Sequence, residues 1–180
     1  MTAGGWLARI EAMGEAAWAR RASPRSVWTR LATLALLLLA IWSHAWIGWT
    51  AAASALLAVA VWTFASPRLF APPKRTDRWA SRAVFGERVW LARRVVPIPP
   101  HHERAAAMLS LAAGAGGLVG IVGAILSDLT ATLAGGLVAY MGKLWFLDRM
   151  VWLYQDMRDM NPIYESWEHG SWEHGSREHR

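Results

Sequence analysis

Seven side chains gather the chemistry that this sequence can offer: Glu87, His101, His102, Glu103, Lys143, Asp148 and Asp156. Imidazole and carboxylate together form the donor set of Zn and Fe sites. His101, His102 and Glu87 are therefore the candidate metal ligands. Their spacing argues against that use, because side chains adjacent in sequence point apart on regular structure. The His-Glu-x-x-His pattern of membrane metalloproteases is absent. The expectation is no metal and no cofactor. No glycine loop followed by Lys and Ser/Thr cradles a phosphate, and no Gly-x-Ser-x-Gly elbow presents a nucleophile. Cysteine is absent, which excludes disulfides and thiolate chemistry.

Two of these charges sit where a charge needs a partner. Glu87 falls in an apolar helical arc between Ala83 and Trp90, and Lys143 lies on an apolar face near membrane depth. Ionisable groups in such places pair with one another or snorkel to water. An ion pair of Glu87 with Lys143, or with Arg149, is the expected structural link. Asp148 and Asp156 are the expected partners of the basic face of the loop helix, which carries Arg78, Arg82, Arg88 and Arg93.

The elements that position these groups follow from the placement of charge. Residues 67–104 carry nine of the 19 Lys and Arg residues: Arg68, Lys74, Arg75, Arg78, Arg82, Arg88, Arg93, Arg94 and Arg104. On either side lies a run almost without charge. Residues 31–67 contain no Asp, Glu, Lys or Arg, and residues 105–142 contain only Asp128. About 20 apolar residues cross a hydrocarbon core ~30 Å thick. Each run thus fits two spans and a turn, the turns falling at Ser43-His44 and Ser127-Asp128. The predicted fold is all-α: an integral membrane protein of two transmembrane hairpins, with four spans near 27–45, 47–66, 105–126 and 129–146. A soluble helix would show a polar stripe, and residues 34–41 show none.

Amphipathic helices complete the expected architecture. In residues 5–20, Trp6, Ile10, Met13 and Ala17 share a face suited either to the membrane surface or to packing on the central loop. Ser23-Pro24 suits a helix start. In the central loop, proline pairs bracket a helix over residues 77–94, with Trp79, Ala83 and Trp90 on its apolar arc. Helical spacing continues from Lys143 to Met160, with Leu147, Met150, Val151, Tyr154 and Met157 on one face. The expected organisation is an N-terminal amphipathic segment (1–23), a membrane domain (24–160) with its basic loop (67–104), and a tail (161–180). The tail holds the repeat Ser166-Trp-Glu-His-Gly170, Ser171-Trp-Glu-His-Gly175, Ser176-Arg-Glu-His-Arg180. Its polarity predicts disorder. His169, His174 and His179 offer at most a loose metal site, and a drifting duplication is the plainer explanation.

Small residues mark the packing surfaces. Ala112, Gly116, Gly120 and Ala124 repeat every four residues, as do Ala131, Gly135 and Ala139; small-xxx-small spacing lets helices approach closely. Packing within one chain is the plain expectation, and a homodimer seam the alternative.

The net charge is +6. The basic residues flank spans, so anionic lipid headgroups rather than nucleic acid are the expected partner. Lys and Arg are excluded from both hairpin turns, which predicts a cytoplasmic central loop and cytoplasmic termini in an inner membrane. Seven of the 13 tryptophans agree with this: Trp28, Trp62, Trp145 and Trp152 fall at the inner level and Trp42, Trp46 and Trp49 at the outer. From Trp28 to Trp46 a helix rises ~27 Å. No cleavable signal peptide is expected at the N-terminus.

The segments Ser26-Val-Trp-Thr-Arg30, Gly86-Glu-Arg-Val-Trp90 and Lys143-Leu-Trp-Phe-Leu-Asp-Arg-Met-Val-Trp-Leu-Tyr154 resemble those of a family of small prokaryotic four-helix membrane proteins of unknown function. The resemblance covers residues 24–160, implies the same architecture and leaves activity open. The leading functional expectation is a non-enzymatic accessory or scaffold subunit. A small oligomeric transporter or channel is the first alternative, although no span carries an ionisable group at its middle. A membrane enzyme working through His101, His102 and Glu87 is the second.

Overall fold

A computed structural model of the 180-residue chain describes residue 14 and residues 17–69, 76–94, 96–160, 164 and 167. Among these residues all regular structure is helical: α1 (Pro24–Trp42), α2 (His44–Leu69), α3 (Trp79–Leu91), α4 (Pro100–Ile125) and α5 (Leu129–Arg158). Three of them are long and apolar enough to cross a membrane: α1, α2 over His44–Ser66, and α4. The fourth expected span, in α5, is long enough but diluted by Thr130, Thr132, Gly135, Gly136 and Gly142, and interrupted by Lys143. The amphipathic segment expected at 5–20 lies mostly outside the described residues.

The helices belong to two compact units that cut across chain order. One, the hairpin unit, comprises Trp28–Ser66 and Pro99–Arg149. The other, the arginine-rich unit, comprises Met1–Val27, Pro67–Ile98 and Met150–Arg180. All Lys and Arg residues except Arg30, Arg104, Lys143 and Arg149 fall in the second. Apolar exposure is divided the opposite way. Apart from Leu91, Trp152 and Met160, every large hydrophobic residue exposed among the described ones lies in the hairpin unit.

The hairpin unit is joined by backbone contact. α4 and α5 run antiparallel along a seam with no room for side chains. A Cβ on Gly116 would lie 2.7 Å from the Ala139 nitrogen, and one on Gly123 would lie 2.8 Å from the Ala131 carbonyl carbon. One on Gly135 would overlap the Gly120 amide, while Gly142 abuts Ala113. Gly116, Gly120, Ala124, Gly135 and Ala139 are buried. Ala112 is exposed, and Ala113 takes the place expected for it. The reason is periodicity: with 3.6 residues per turn, a strict four-residue repeat drifts off the seam. α1 adds to the same packing. Leu38 touches the glycine positions 120 and 136, and the Tyr140 hydroxyl donates to the Leu31 carbonyl at 2.6 Å.

Both hairpin turns fall where the polar breaks predict. Ser127 adopts a left-handed φ of 57°. Asp128 caps α5, its Oδ1 accepting from the Ala131 amide at 3.0 Å, which satisfies an otherwise orphan helix-start donor. At the other turn, Ser43 Oγ donates to the Ala40 carbonyl at 2.7 Å and His44 Nδ1 donates to that of Ile41 at 2.8 Å. The sequence reading missed one break there. Gly48 leaves helical geometry at φ 77° and ψ 166°, inside α2, a conformation that glycine adopts without steric penalty.

Candidate functional site

The arginine-rich unit is packed like a water-soluble protein. Its core combines Val84, Phe85 and Val89 of α3 with Met150, Leu153, Tyr154 and Met157 of α5, all buried. Of the expected apolar arc of α3, Ala83 is buried, as are Ala80 and Val84 beside it, and burial extends beyond the arc. Phe85, Gly86 and Val89 lie inside, while Trp79 and Trp90 are half-buried and Leu91 is exposed. Gly86 explains the added burial: a Cβ there would overlap the Met150 carbonyl, so the two helices meet backbone to backbone. Glycine carries little hydrophobic signal, so this contact is easy to miss in a periodicity. The turn ahead of α1 is fastened to the same helix by the buried Ser81 hydroxyl, which donates to the Ala22 carbonyl at 2.8 Å.

On this core stands an alternating ladder of cations and rings. The Arg88 guanidinium lies 4.1 Å from the Trp167 ring centroid and 5.8 Å from that of Trp18. Arg21 lies 5.5 Å from Trp18 on its own account. Guanidinium groups over indole faces are held by the ring quadrupole, at roughly 0.5–2 kcal/mol each depending on exposure. Trp167 also meets Phe85 at 6.1 Å and Tyr164 at 4.9 Å between centroids. Tyr154 donates its hydroxyl to the Tyr164 carbonyl at 2.9 Å. Tyr164 and Trp167, both in the stretch expected to be a disordered tail, are 5% and 6% exposed. The other residues after 160 lie outside the described ones.

Glu87 is half-buried on α3, in the arginine-rich unit. His101 and His102 open α4 in the hairpin unit, their rings 4.2 Å apart at 39°. His102 is 1% exposed, whereas His101 faces out. Lys143 and Arg149 lie on α5 in the hairpin unit, with the Lys143 ammonium 4.7 Å from the Phe146 ring.

Residues 5–170 match a family described as a family of unknown function (DUF6653). The chain belongs to that family. No curated protein and no solved structure matches it. The DUF6653 match extends beyond the stretch 24–160 on both sides. It closes on Gly170, the last residue of the first pentapeptide. The repeat that carries Trp167 is therefore within the DUF6653 domain, and the two copies after it lie outside.

Proposed function

We propose that this chain is a four-span inner-membrane protein acting as a non-enzymatic accessory or scaffold subunit, with its arginine-rich unit on the cytoplasmic side. The opposite partition of arginine and exposed apolar surface between the two units supports this most directly. A surface of exposed Leu, Val, Phe and Trp suits lipid tails, and a surface of arginines suits anionic headgroups, at ~1 kcal/mol per residue near the surface. The seam supports the fourth span. Residues 131–142 of α5 lie against residues 113–123 of α4, backbone to backbone. A bilayer around α4 therefore surrounds that part of α5 too. Thr132 suits such a setting, since its hydroxyl is satisfied by the Asp128 carbonyl at 2.7 Å.

One tag at the C-terminus tests both parts. In sealed cells, external protease should leave it intact. Purification through it in mild detergent should recover a second membrane protein in near-stoichiometric amount. Cleavage from outside would overturn the four-span topology, and recovery of this chain alone would overturn the accessory role.

The proposal includes an ion pair of Glu87 with Lys143 or Arg149. Glu87→Gln should then cost less stability in a Lys143→Gln or Arg149→Gln background than in the unaltered chain. Additive costs in both double-mutant cycles would remove the pair from the account.

A further inference from the structure

The tail repeats the pentapeptide whose tryptophan is seated on the arginine-rich unit. Trp167 fills one seat, formed by Phe85 and Arg88, beside Tyr164 of its own segment. Its pentapeptide, Ser-Trp-Glu-His-Gly, is repeated without change at residues 171–175. The family match ends between the two copies, at Gly170. The first copy thus belongs to the common domain, and the second is an added duplicate of a segment that already has a binding site.

We propose that Trp172 is a second ligand for the Arg88 seat, so that the tail docks in two registers five residues apart. Three observations carry this. The second copy presents the same ring with the same flanking residues, so any contact made by the pentapeptide itself is available to it. The charges are complementary, since Glu168 and Glu173 follow the two tryptophans and the seat lies in the unit that holds most of the arginines. The third copy, by contrast, has Arg177 at the tryptophan position; it has no ring to stack and would bring a like charge to Arg88. The first register keeps one advantage: the Tyr154 hydroxyl bond to the Tyr164 carbonyl belongs to it alone. Trp167 is therefore the preferred occupant and Trp172 the substitute, held nearby at an effective concentration in the millimolar range by its short tether. The inference does not depend on the membrane reading.

The absence of cysteine makes the test clean. A single cysteine at Ser166 or Ser171, carrying a nitroxide, reports which copy is seated in the full-length protein. In the otherwise unaltered chain the label at 166 is immobilised. With Trp167→Ala, the label at 171 becomes immobilised, and its docked-to-mobile ratio exceeds that of the Trp167→Ala, Trp172→Ala double variant at least about fivefold, the loss of one stacked cation. Trp167→Leu repeats the measurement with the apolar contact to Phe85 retained, so that a failure to fold does not decide the result. Equal mobility at 171 in the single and double variants, whether both loose or both fixed, overturns the proposal.

Discussion

Replacing Gly135 with valine unfolds the hairpin unit. The residue sits where α4 and α5 cross most closely, its missing Cβ facing the Gly120 amide and lying 2.7 Å from the Gly116 carbonyl oxygen. These neighbours are backbone, so no side chain can rotate away. The helices must separate, and the contacts at Gly116, Gly123 and Gly142 are lost with them. Overpacking typically costs ~1–3 kcal/mol and more where nothing can yield. We expect at least about 3 kcal/mol here, since the whole seam is displaced. Gly114 on α4 provides the comparison, because a Cβ there meets nothing within 4 Å. Gly114→Ala should be neutral or stabilising by up to ~1 kcal/mol through helix propensity. Thermal loss of helical circular dichroism in detergent reads both. Similar midpoints for the two variants would show that the seam is not what holds the unit together.

Gly86→Ala has the second largest effect, and it falls on the other unit. The added methyl meets the Met150 carbonyl, with the Met150 Cα 2.9 Å away. Separating α3 from α5 exposes Met150, Leu153 and Tyr154, now fully buried. Burial of such side chains contributes ~1.5–3 kcal/mol each. Partial exposure of several sets the expected cost at ~2–4 kcal/mol. Hydrogen exchange should show the opening confined to the arginine-rich segments, with α4 still protected. Leu91→Ala on the same helix removes an exposed side chain and should change stability by less than ~0.5 kcal/mol. Uniform loss of protection along the chain would mean that the two units do not open separately.

Much of this architecture was legible in the order of residues because its causes are local. The spans show as runs without charge, and Asp128 marks a turn because its carboxylate must cap the next helix. Leu147, Met150, Val151, Tyr154 and Met157 repeat at helical spacing, and all are buried. What stayed hidden depends on distant partners or on atoms that are missing. Gly86 reads as a neutral position, yet its lack of a side chain lets α3 meet α5 backbone to backbone. Trp167 lies in a polar repeat whose average composition conceals one anchored ring. The cationic half of the ladder is equally obscure. Arg88 looked like one of many solvated arginines, and only the approach of Trp18 and Trp167, from opposite ends of the sequence, distinguishes it.

In the proposed four-span topology, the break at Gly48 shortens the second span. With the chain leaving helical geometry there, the continuous helix available to the hydrocarbon runs from Trp49 to Ser66, a rise of ~27 Å. That matches a thin bilayer with almost no surplus, so this helix has little length to lose to tilt. α4, from Pro100 to Ile125, has length to spare and accommodates by leaning. A thicker bilayer therefore stretches the two hairpins unequally, with the mismatch concentrated beside Trp49, the ring stacked 4.1 Å from His44.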